Sequence, residues 1–174
     1  MKIFSPLATL LMLASLTGFQ AQAGSRQVID ANGQSQSVPD APRRVVVLSE
    51  LDLDSALTLG VQPVGTVNGR GQSTLPRYLL DKAGKEIAVV GDLDNPNLET
   101  LIDLEPDLIL TGQTKPELLA LLKEIAPTVV TGNWGEPWKT VFNRSANVMN
   151  KEAEAKAFLA RYDARLAEAR SKLA

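Results

Sequence analysis

The sequence predicts an α/β fold: a mostly parallel, five-stranded sheet flanked by helices and followed by a long C-terminal helix. Residues 44–49 form a continuous apolar run of the kind found in parallel strands that are buried on both faces. Residues 87–90, 97–104 and 107–111 are typical of a strand, a helix and a strand, with Asn97 opening the helix and Pro106 closing it. Strands and helices alternate in this way along the chain, which indicates βαβ units with helices on both faces of the sheet.

A hairpin precedes the sheet. Residues 27–30 and 35–38 are predicted to pair around an Asn32-Gly33 turn, and two prolines then end the hairpin. The strands predicted for the sheet are residues 44–49, 61–67, 87–90, 107–111 and 127–131.

The predicted connecting helices have recognisable ends. Asp52 and Asp54 favour the first turn of the first helix, and Gly60 is its C-terminal stop. Pro63 indicates that the second strand lies at an edge or begins late. The helices predicted between the strands are residues 51–59, 75–82, 97–104 and 115–124.

The C-terminal part of the chain is predicted to be helical. Residues 138–149 form one helix, and Asn150 is the expected cap of a second that runs from 151 to at least 172. The second helix is about 33 Å long at 1.5 Å per residue. It either covers the sheet of its own domain or extends toward a second domain. Its apolar stripe is Phe158, Tyr162, Leu166, Ala169 and Leu173.

The first 23 residues are predicted to be a secretory signal peptide. Lys2 provides the positive start, an apolar stretch follows, and Ala21-Gln22-Ala23 fits a small-x-small cleavage site. A membrane anchor is the alternative, but the stretch is shorter than a spanning helix requires. The expected organisation is a signal peptide at 1–23, an α/β lobe at 24–149 and a joining helix at 150–174. The mature chain is expected in the periplasm without a lipid anchor, since no Cys follows the cleavage site.

Composition excludes several classes of function. A net charge of -2 and no basic cluster disfavour a nucleic-acid partner. The absence of Cys and His from the 174 residues removes thiolate chemistry, Cys/His zinc sites and Ser–His–Asp triads. The sequence also has no Gly-rich phosphate loop and no Gly-x-Ser-x-Gly elbow. An exported hydrolase would therefore have to use a Ser–Lys or carboxylate arrangement, and we expect neither an enzyme nor a cofactor.

Candidate ligand residues follow from strand order, because ligands of open parallel sheets bind beyond the carboxyl ends of the strands. Arg70 is the leading candidate, since a guanidinium can hold an anionic ligand through two hydrogen bonds while staying ionised. It could equally be a solvated loop arginine. Trp134 and Trp138 could form an apolar wall or simply cover the core. The complete set of candidates is Ser49, Glu50, Asn68, Arg70, Asp92, Gln113, Trp134 and Trp138.

Taken together, these segments resemble the periplasmic binding proteins of ferric-siderophore and vitamin B12 ABC importers, closest to the ferric dicitrate and hydroxamate group. The segments that match, in the same order and spacing, are residues 42–48, 57–65, 90–91, 96–109 and 125–129.

The resemblance implies a fold of two α/β lobes joined by one long helix, with the ligand held between the lobes. This chain matches the amino-terminal lobe and the joining helix only, so a truncated protein is expected. Its implied ligand is a ferric siderophore or ferric citrate complex, with vitamin B12 as an alternative.

Glu99 aligns with a glutamate that pairs with arginines of the membrane permease; its other interpretation is a favourable contact with the helix dipole. A monomer is expected, and a half-lobe that docks without ligand remains an alternative.

Overall fold

The computed structural model describes residues 24–84 and 86–173, so the predicted signal peptide lies outside the described residues. The strands are β1 (Ser25–Ile29), β2 (Ser35–Pro39), β3 (Val45–Val47), β4 (Gly65–Thr66), β5 (Ala88–Val89), β6 (Gly91–Asp92), β7 (Asn95–Pro96), β8 (Leu108–Gly112) and β9 (Thr128–Gly132). The helices are α1 (Glu50–Thr58), α2 (Leu80–Ala83), α3 (Leu98–Asp103), α4 (Pro116–Ile125), α5 (Trp138–Val148) and α6 (Glu152–Leu173).

Five strands form the central sheet in the order β5-β4-β3-β8-β9, and every neighbouring pair is parallel. β3 is central: Val46 pairs with Gly65 of β4 on one side and with Ile109 of β8 on the other. The predicted five-stranded parallel sheet is therefore confirmed.

The sheet is buried on both faces, as the apolar run at 44–49 predicted. Val45 and Val47 pack into one apolar cluster with residues of α1 and α5, and Val46 packs into a second cluster with residues of α3 and α4. This division follows from the strand geometry, in which successive side chains point to opposite faces. Helices consequently cover both faces.

Three predicted strands and one predicted helix are shorter than expected. The first strand of the sheet is residues 45–47 rather than 44–49. The second strand is residues 65–66 rather than 61–67, because Pro63 has no N–H and the pairing with β3 begins only where the Val64 N–H donates to Val45 O at 2.9 Å. The third strand is residues 88–89 rather than 87–90. In place of a helix at 75–82, a 3₁₀ turn (Arg77–Leu79) leads into α2. The hairpin of β6 and β7 was not predicted.

The first hairpin forms as predicted, but its turn is longer than the Asn-Gly pair alone. β1 and β2 are antiparallel, with Ile29 opposite Ser35. The buried Asp30 organises the turn, since its Oδ1 accepts from the N–H groups of Asn32 and Gln34, both at 2.8 Å. Gly33 has a φ of 75°, which glycine adopts without the strain that a Cβ would cause.

The role predicted for Asn150 is corrected by the structure. Its φ of 57° is left-handed, and it follows the C-cap Met149, so it ends α5 instead of capping α6. Asparagine adopts this conformation more readily than most residues do. Here its Nδ2 also donates to the carbonyl oxygen of Asp40, from a distant part of the chain, at 2.9 Å. The Arg26 guanidinium also donates to Asn147 O and Val148 O at the end of α5.

The long terminal helix α6 packs on the lobe at its beginning. Ala155 is buried, the Phe158 ring lies 5.2 Å from the Phe142 ring of α5, and residues 160–173 are exposed. The apolar stripe therefore contacts α5 through its first members, whereas Leu173 is 89% exposed. Within the part of the chain that the structure describes, no helix is both long and apolar enough to cross a membrane.

Candidate functional site

The carboxyl ends of the parallel strands bring several predicted ligand residues to one edge of the sheet. We call this region the carboxyl edge and define it by Ser49, Glu50, Arg70, Gln113 and Trp134. Parallel pairing places the loops after β4, β3, β8 and β9 side by side in that order. Residues that are 85 positions apart in sequence, Ser49 and Trp134, consequently share one edge.

One side of the carboxyl edge is organised by Glu50. Its Oε1 accepts a hydrogen bond from the backbone N–H of Arg70 at 2.8 Å, which ties the loop after β4 to the start of α1. The Arg70 side chain is exposed, and no salt bridge within residues 24–84 and 86–173 involves its guanidinium. All its N–H donors can therefore face a ligand.

The other side of the carboxyl edge carries Trp134. Its backbone N–H donates to Gln113 Oε1 at 3.2 Å, so the loops after β8 and β9 are joined. The Trp134 side chain is 80% exposed, which makes it a large aromatic surface open to solvent. A Cβ added at Gly112 would lie 3.7 Å from Ser49 Cβ, and the loop after β8 thus also lies close to the loop after β3.

The loop that carries Trp134 is held by an ion pair that the sequence did not suggest. Arg144 of α5 contacts Glu136 at 2.9 Å, and Glu136 Oε2 accepts from the N–H of Asn133 at 2.7 Å. The hydrogen bond from Arg144 and the one from the Asn133 backbone lower the pKa of the Glu136 carboxyl. Its carboxylate form therefore stabilises the loop at neutral pH.

Asn68 and Asp92 lie at the β5 side of the sheet. The N–H of Asn68 donates to Gly91 O at 2.9 Å, and Asn68 is partly buried. Asp92 is exposed on β6, where it pairs with Asn95 in the short hairpin. The structure thus brings these two residues together, next to the loop of Arg70.

Trp138 is placed differently from Trp134. Its ring packs edge-on against Tyr162 of α6, with centroids 5.2 Å apart, and lies 6.2 Å from the Phe142 ring. Lys139 supports the same contact: its Nζ is 4.8 Å from the centre of the Tyr162 ring and 2.7 Å from Asp163 Oδ1. These contacts join Trp138 to the α5–α6 packing, and its role in ligand binding stays a prediction.

A buried carboxylate below the carboxyl edge was missed as a structural centre. Asp52 is fully buried, and its oxygens lie within hydrogen-bond distance of three hydroxyls: Ser49 at 2.6 Å, Ser145 at 2.8 Å and Thr131 at 2.8 Å. Ser49 also accepts from the Asp52 N–H at 3.0 Å and so caps α1. The network links α1, β9 and α5. The Ser-x-x-Asp spacing at 49–52, which resembles a capping box, was the available signal.

Burial raises the pKa of the Asp52 carboxyl above its usual value of 3.8, and the hydrogen bonds from Ser49, Thr131 and Ser145 offset part of that rise. The surrounding hydrogen bonds can adapt to both protonation states of the Asp52 carboxyl. Carbonyl oxygens of Val141 and Thr111 lie 2.9 and 3.1 Å from the Ser145 and Thr131 hydroxyls, so these hydroxyls can donate to either acceptor.

The substitution Asp52→Asn is expected to flatten the dependence of stability on pH. A raised native pKa means that the native state binds the proton more tightly than the unfolded chain does. This contribution is complete below pH 3.8 and is lost as the pH rises through the native pKa. Asparagine keeps the shape without titrating, so the free energy of unfolding of the variant should gain on that of the wild type as the pH rises. Urea denaturation from pH 3 to pH 8 measures the free energy of unfolding of the wild type and of the variant. Parallel curves of this free energy against pH would contradict the raised pKa of Asp52.

Glu99 lies at the start of α3, the helix that follows the β6–β7 hairpin. It is exposed in the first turn of α3, a helix capped by Asn97, whose side chain accepts from the Thr100 N–H at 2.9 Å. The carboxylate therefore faces solvent at the start of the helix, as both interpretations of Glu99 require.

Comparison with known proteins supports a common ancestry for this architecture. The model of the family described as "Periplasmic binding protein" matches residues 45–174. The chain is 34% identical to the probable siderophore-binding lipoprotein YfiY of Bacillus subtilis over 150 residues, which are 86% of this chain and 46% of YfiY. It is 31% identical to the Fe(3+)-citrate-binding protein YfmC of the same organism, over 84% of this chain and 47% of YfmC.

A solved structure shows the same fold. Staphylococcus aureus SirA, crystallised in complex with staphyloferrin B, superposes with a TM-score of 0.72 at 31% identity, covering 82% of this chain and 48% of SirA. The chain thus spans about half the length of the curated relatives and solved structures that it matches. With the family model matched from residue 45 to residue 174, the chain belongs to the periplasmic binding protein family.

Proposed function

We propose that this chain forms the amino-terminal wall of a cleft that binds a ferric siderophore or ferric citrate complex for an ABC importer. The observation that carries the proposal is the match, over 84–86% of this chain, to proteins named as siderophore-binding and Fe(3+)-citrate-binding. The carboxyl edge offers chemistry suited to such a ligand. Because the match covers about half of each relative, the proposal for the complete cleft includes a second lobe.

Each residue of the carboxyl edge has a defined part in the proposed binding. The Arg70 guanidinium holds anionic oxygens of the chelate, since paired charged hydrogen bonds are the strong ones. Glu50 positions Arg70 through its backbone, and Trp134 offers an aromatic face to the organic part of the ligand. The remaining candidates, which we propose to contact the ligand through polar or ring atoms, are Ser49, Asn68, Asp92, Gln113 and Trp138.

The proposed mechanism is binding and delivery without covalent chemistry. The family and the relatives described above are binding proteins, and we extend this to the present chain. We further propose that residues 1–23 direct the chain to the periplasm. There the exposed Glu99 pairs with a cation on the permease. This pairing is compatible with the helix-dipole contact, because a carboxylate in the first turn of a helix is also accessible from outside.

Tryptophan fluorescence tests the ligand-binding proposal, because the chain has two tryptophans in different surroundings. Titration with ferric citrate should quench the emission. Trp134→Phe should lose the larger part of the quenching, and Trp138→Phe should lose the smaller part. The physical reason is that Trp134 is 80% exposed at the carboxyl edge, whereas Trp138 packs against Tyr162.

Free citrate and N-acetyltryptophanamide are the controls for ligand-independent and optical effects. Quenching that is undiminished in Trp134→Phe would place the ligand elsewhere. No saturable response to ferric citrate, a ferric hydroxamate or a ferric catecholate would contradict the proposed function of this lobe.

A further inference from the structure

The three hydroxyls around Asp52 differ in whether they have a second acceptor. The Ser145 and Thr131 hydroxyls each lie near a backbone carbonyl oxygen, at 2.9 and 3.1 Å, to which they can donate instead. The Ser49 hydroxyl has Asp52 Oδ2, at 2.6 Å, as its one acceptor within residues 24–84 and 86–173. If the Asp52 carboxyl stopped accepting from it, Ser49 would therefore be the hydroxyl that needs a new acceptor.

The charge of Asp52 determines what the Ser49 hydroxyl can offer. A hydroxyl has one donor position and two acceptor positions. Ser49 donates to the Asp52 carboxylate and accepts from the Asp52 N–H at 3.0 Å, so its one remaining position is an acceptor, which an anionic oxygen cannot use. A protonated Asp52 can donate to Ser49 Oγ instead. Both acceptor positions are then occupied, and the Ser49 O–H becomes free to donate.

Ser49 is also the member of this network that reaches the proposed ligand site. Asp52 is fully buried, whereas Ser49 is partly exposed at the carboxyl edge. Its Cβ lies 3.7 Å from the position that a Cβ on Gly112 would occupy, so it lies between the loops after β3 and β8. A ligand at this edge can therefore supply the acceptor that the Ser49 hydroxyl otherwise finds only in Asp52.

We propose that Asp52 is a positioning residue for the ligand: when an anionic chelate oxygen accepts from the Ser49 hydroxyl, Asp52 Oδ2 takes up a proton from solvent and donates it to Ser49 Oγ. The inference rests on the proposed function and adds a bound proton to it. No covalent bond of the chelate changes. Affinity for an anionic chelate should consequently fall as the pH rises and Asp52 ionises. In support, burial makes the protonated carboxyl accessible at a higher pH than in a free aspartate.

The charged groups near this network do not replace Asp52 in that role. β8 and β9, which pack against it, contain only apolar residues, Thr and Gly. On α5, Arg144 is paired with Glu136 at 2.9 Å. On α1, Glu50 and Asp54 flank Asp52 in sequence, and both are partly exposed. The pKa of Asp52 is raised by burial and lowered by its three hydroxyl partners rather than by a neighbouring charge.

Calorimetric titration of the chain with ferric citrate from pH 4 to pH 8 tests the proposal. The measured quantity is the ratio of the dissociation constant of the wild type to that of Asp52→Asn at each pH. The introduced amide can donate to Ser49 at every pH, and the titration of the ligand and of other residues is common to both proteins. The ratio should rise about tenfold as Asp52 ionises, which is the effect of one hydrogen bond to a charged group.

Repeating the titration in two buffers of different ionisation enthalpy measures proton uptake directly. At the midpoint of the change the wild type should take up about half a proton more than Asp52→Asn, as linkage requires for a tenfold effect. This excess uptake and the change in the ratio stand or fall together. A ratio that is constant with pH, or equal proton uptake by the two proteins, would overturn the inference while ferric citrate binding stands.

Two further variants test whether Ser49 transmits the effect. Ser49→Ala should bind weakly at every pH and lose the excess proton uptake, because no hydroxyl remains to be reoriented. If the pH dependence persisted in Ser49→Ala, the charge of Asp52 would be acting through space, and the role of Ser49 would be wrong. Ser145→Ala removes another partner of the same carboxyl and should keep the tenfold change, with its midpoint moved to higher pH.

The folded state of each variant is checked by its circular dichroism spectrum, since Ser49→Ala also removes the cap of α1. The comparison of wild type with Asp52→Asn does not depend on that variant. Absence of saturable ferric citrate binding in all four proteins would contradict the proposed function itself, and with it this inference.

Discussion

Asp52→Ala is expected to lower the free energy of unfolding by about 2–4 kcal/mol at pH 4. Because burial raises the pKa of the Asp52 carboxyl, this group is more protonated at that pH than a free aspartate, and relief of a buried charge contributes correspondingly less. The alanine removes the shared partner of Ser49, Thr131 and Ser145 and leaves space at a fully buried position. Ser49 loses the acceptor of its hydroxyl, whereas the other two hydroxyls retain carbonyl acceptors.

Asp54→Ala provides a matched control for this prediction. Asp54 lies on the same helix, but its side chain is 47% exposed and its only charged contact in the described part of the chain is Lys82 at 3.6 Å. Removal of such a surface pair changes stability by less than about 1 kcal/mol. Urea denaturation should therefore give clearly different free energies of unfolding for the two variants. Equal losses would show that the buried network does not hold α1 against β9 and α5.

Arg70→Glu is expected to weaken ferric citrate binding by about 10–100-fold, as measured by Trp134 quenching. Hydrogen bonds to charged groups contribute about 1.5–3 kcal/mol, and the substitution also places a negative charge beside an anionic ligand. Arg70→Lys should cause a smaller loss, since an ammonium keeps the charge but not the planar pair of donors.

Arg77→Glu makes the same charge change on an exposed residue of the neighbouring 3₁₀ turn. If long-range attraction alone favoured the ligand, the two variants would weaken binding equally. We expect Arg77→Glu to change affinity by less than about threefold, because interactions between exposed charges are strongly screened at physiological salt. Equal effects would contradict a direct contact between Arg70 and the chelate. Because Glu50 contacts only the Arg70 backbone, the loop itself should persist in every Arg70 variant.

Local sequence patterns predicted most of the fold. The valine run of β3 indicated a strand with two buried faces, and its side chains do alternate between the two apolar clusters. Predictions were less accurate where pairing, rather than pattern, sets the ends of an element. β4 is short because Pro63 delays its hydrogen bonding, and Asn150 ends α5 because the chain turns there through a left-handed conformation.

The candidate site could be predicted in outline only. Strand order placed Arg70 and Trp134 in loops after the carboxyl ends of parallel strands, where the structure has them, but Trp134 and Trp138 looked equivalent in the sequence. The structure distinguishes them because α6 returns against α5 and provides Tyr162 as a partner for Trp138. Such partners come from distant parts of the chain, and no local spacing reveals them.

The sequence by itself determined the α/β class and the edge of the sheet where the candidate residues gather, and its motifs resemble those of the family. The class and the edge follow from periodicity, turn residues and the rule for parallel strands. Only the tertiary structure decided that Asp52 is buried among three hydroxyls, that the Glu105 backbone is strained, and that α3 and α4 enclose an apolar groove lined by two carboxylates. Burial, backbone strain and grooves depend on which distant segments pack together, and that arrangement exists only after the chain has folded.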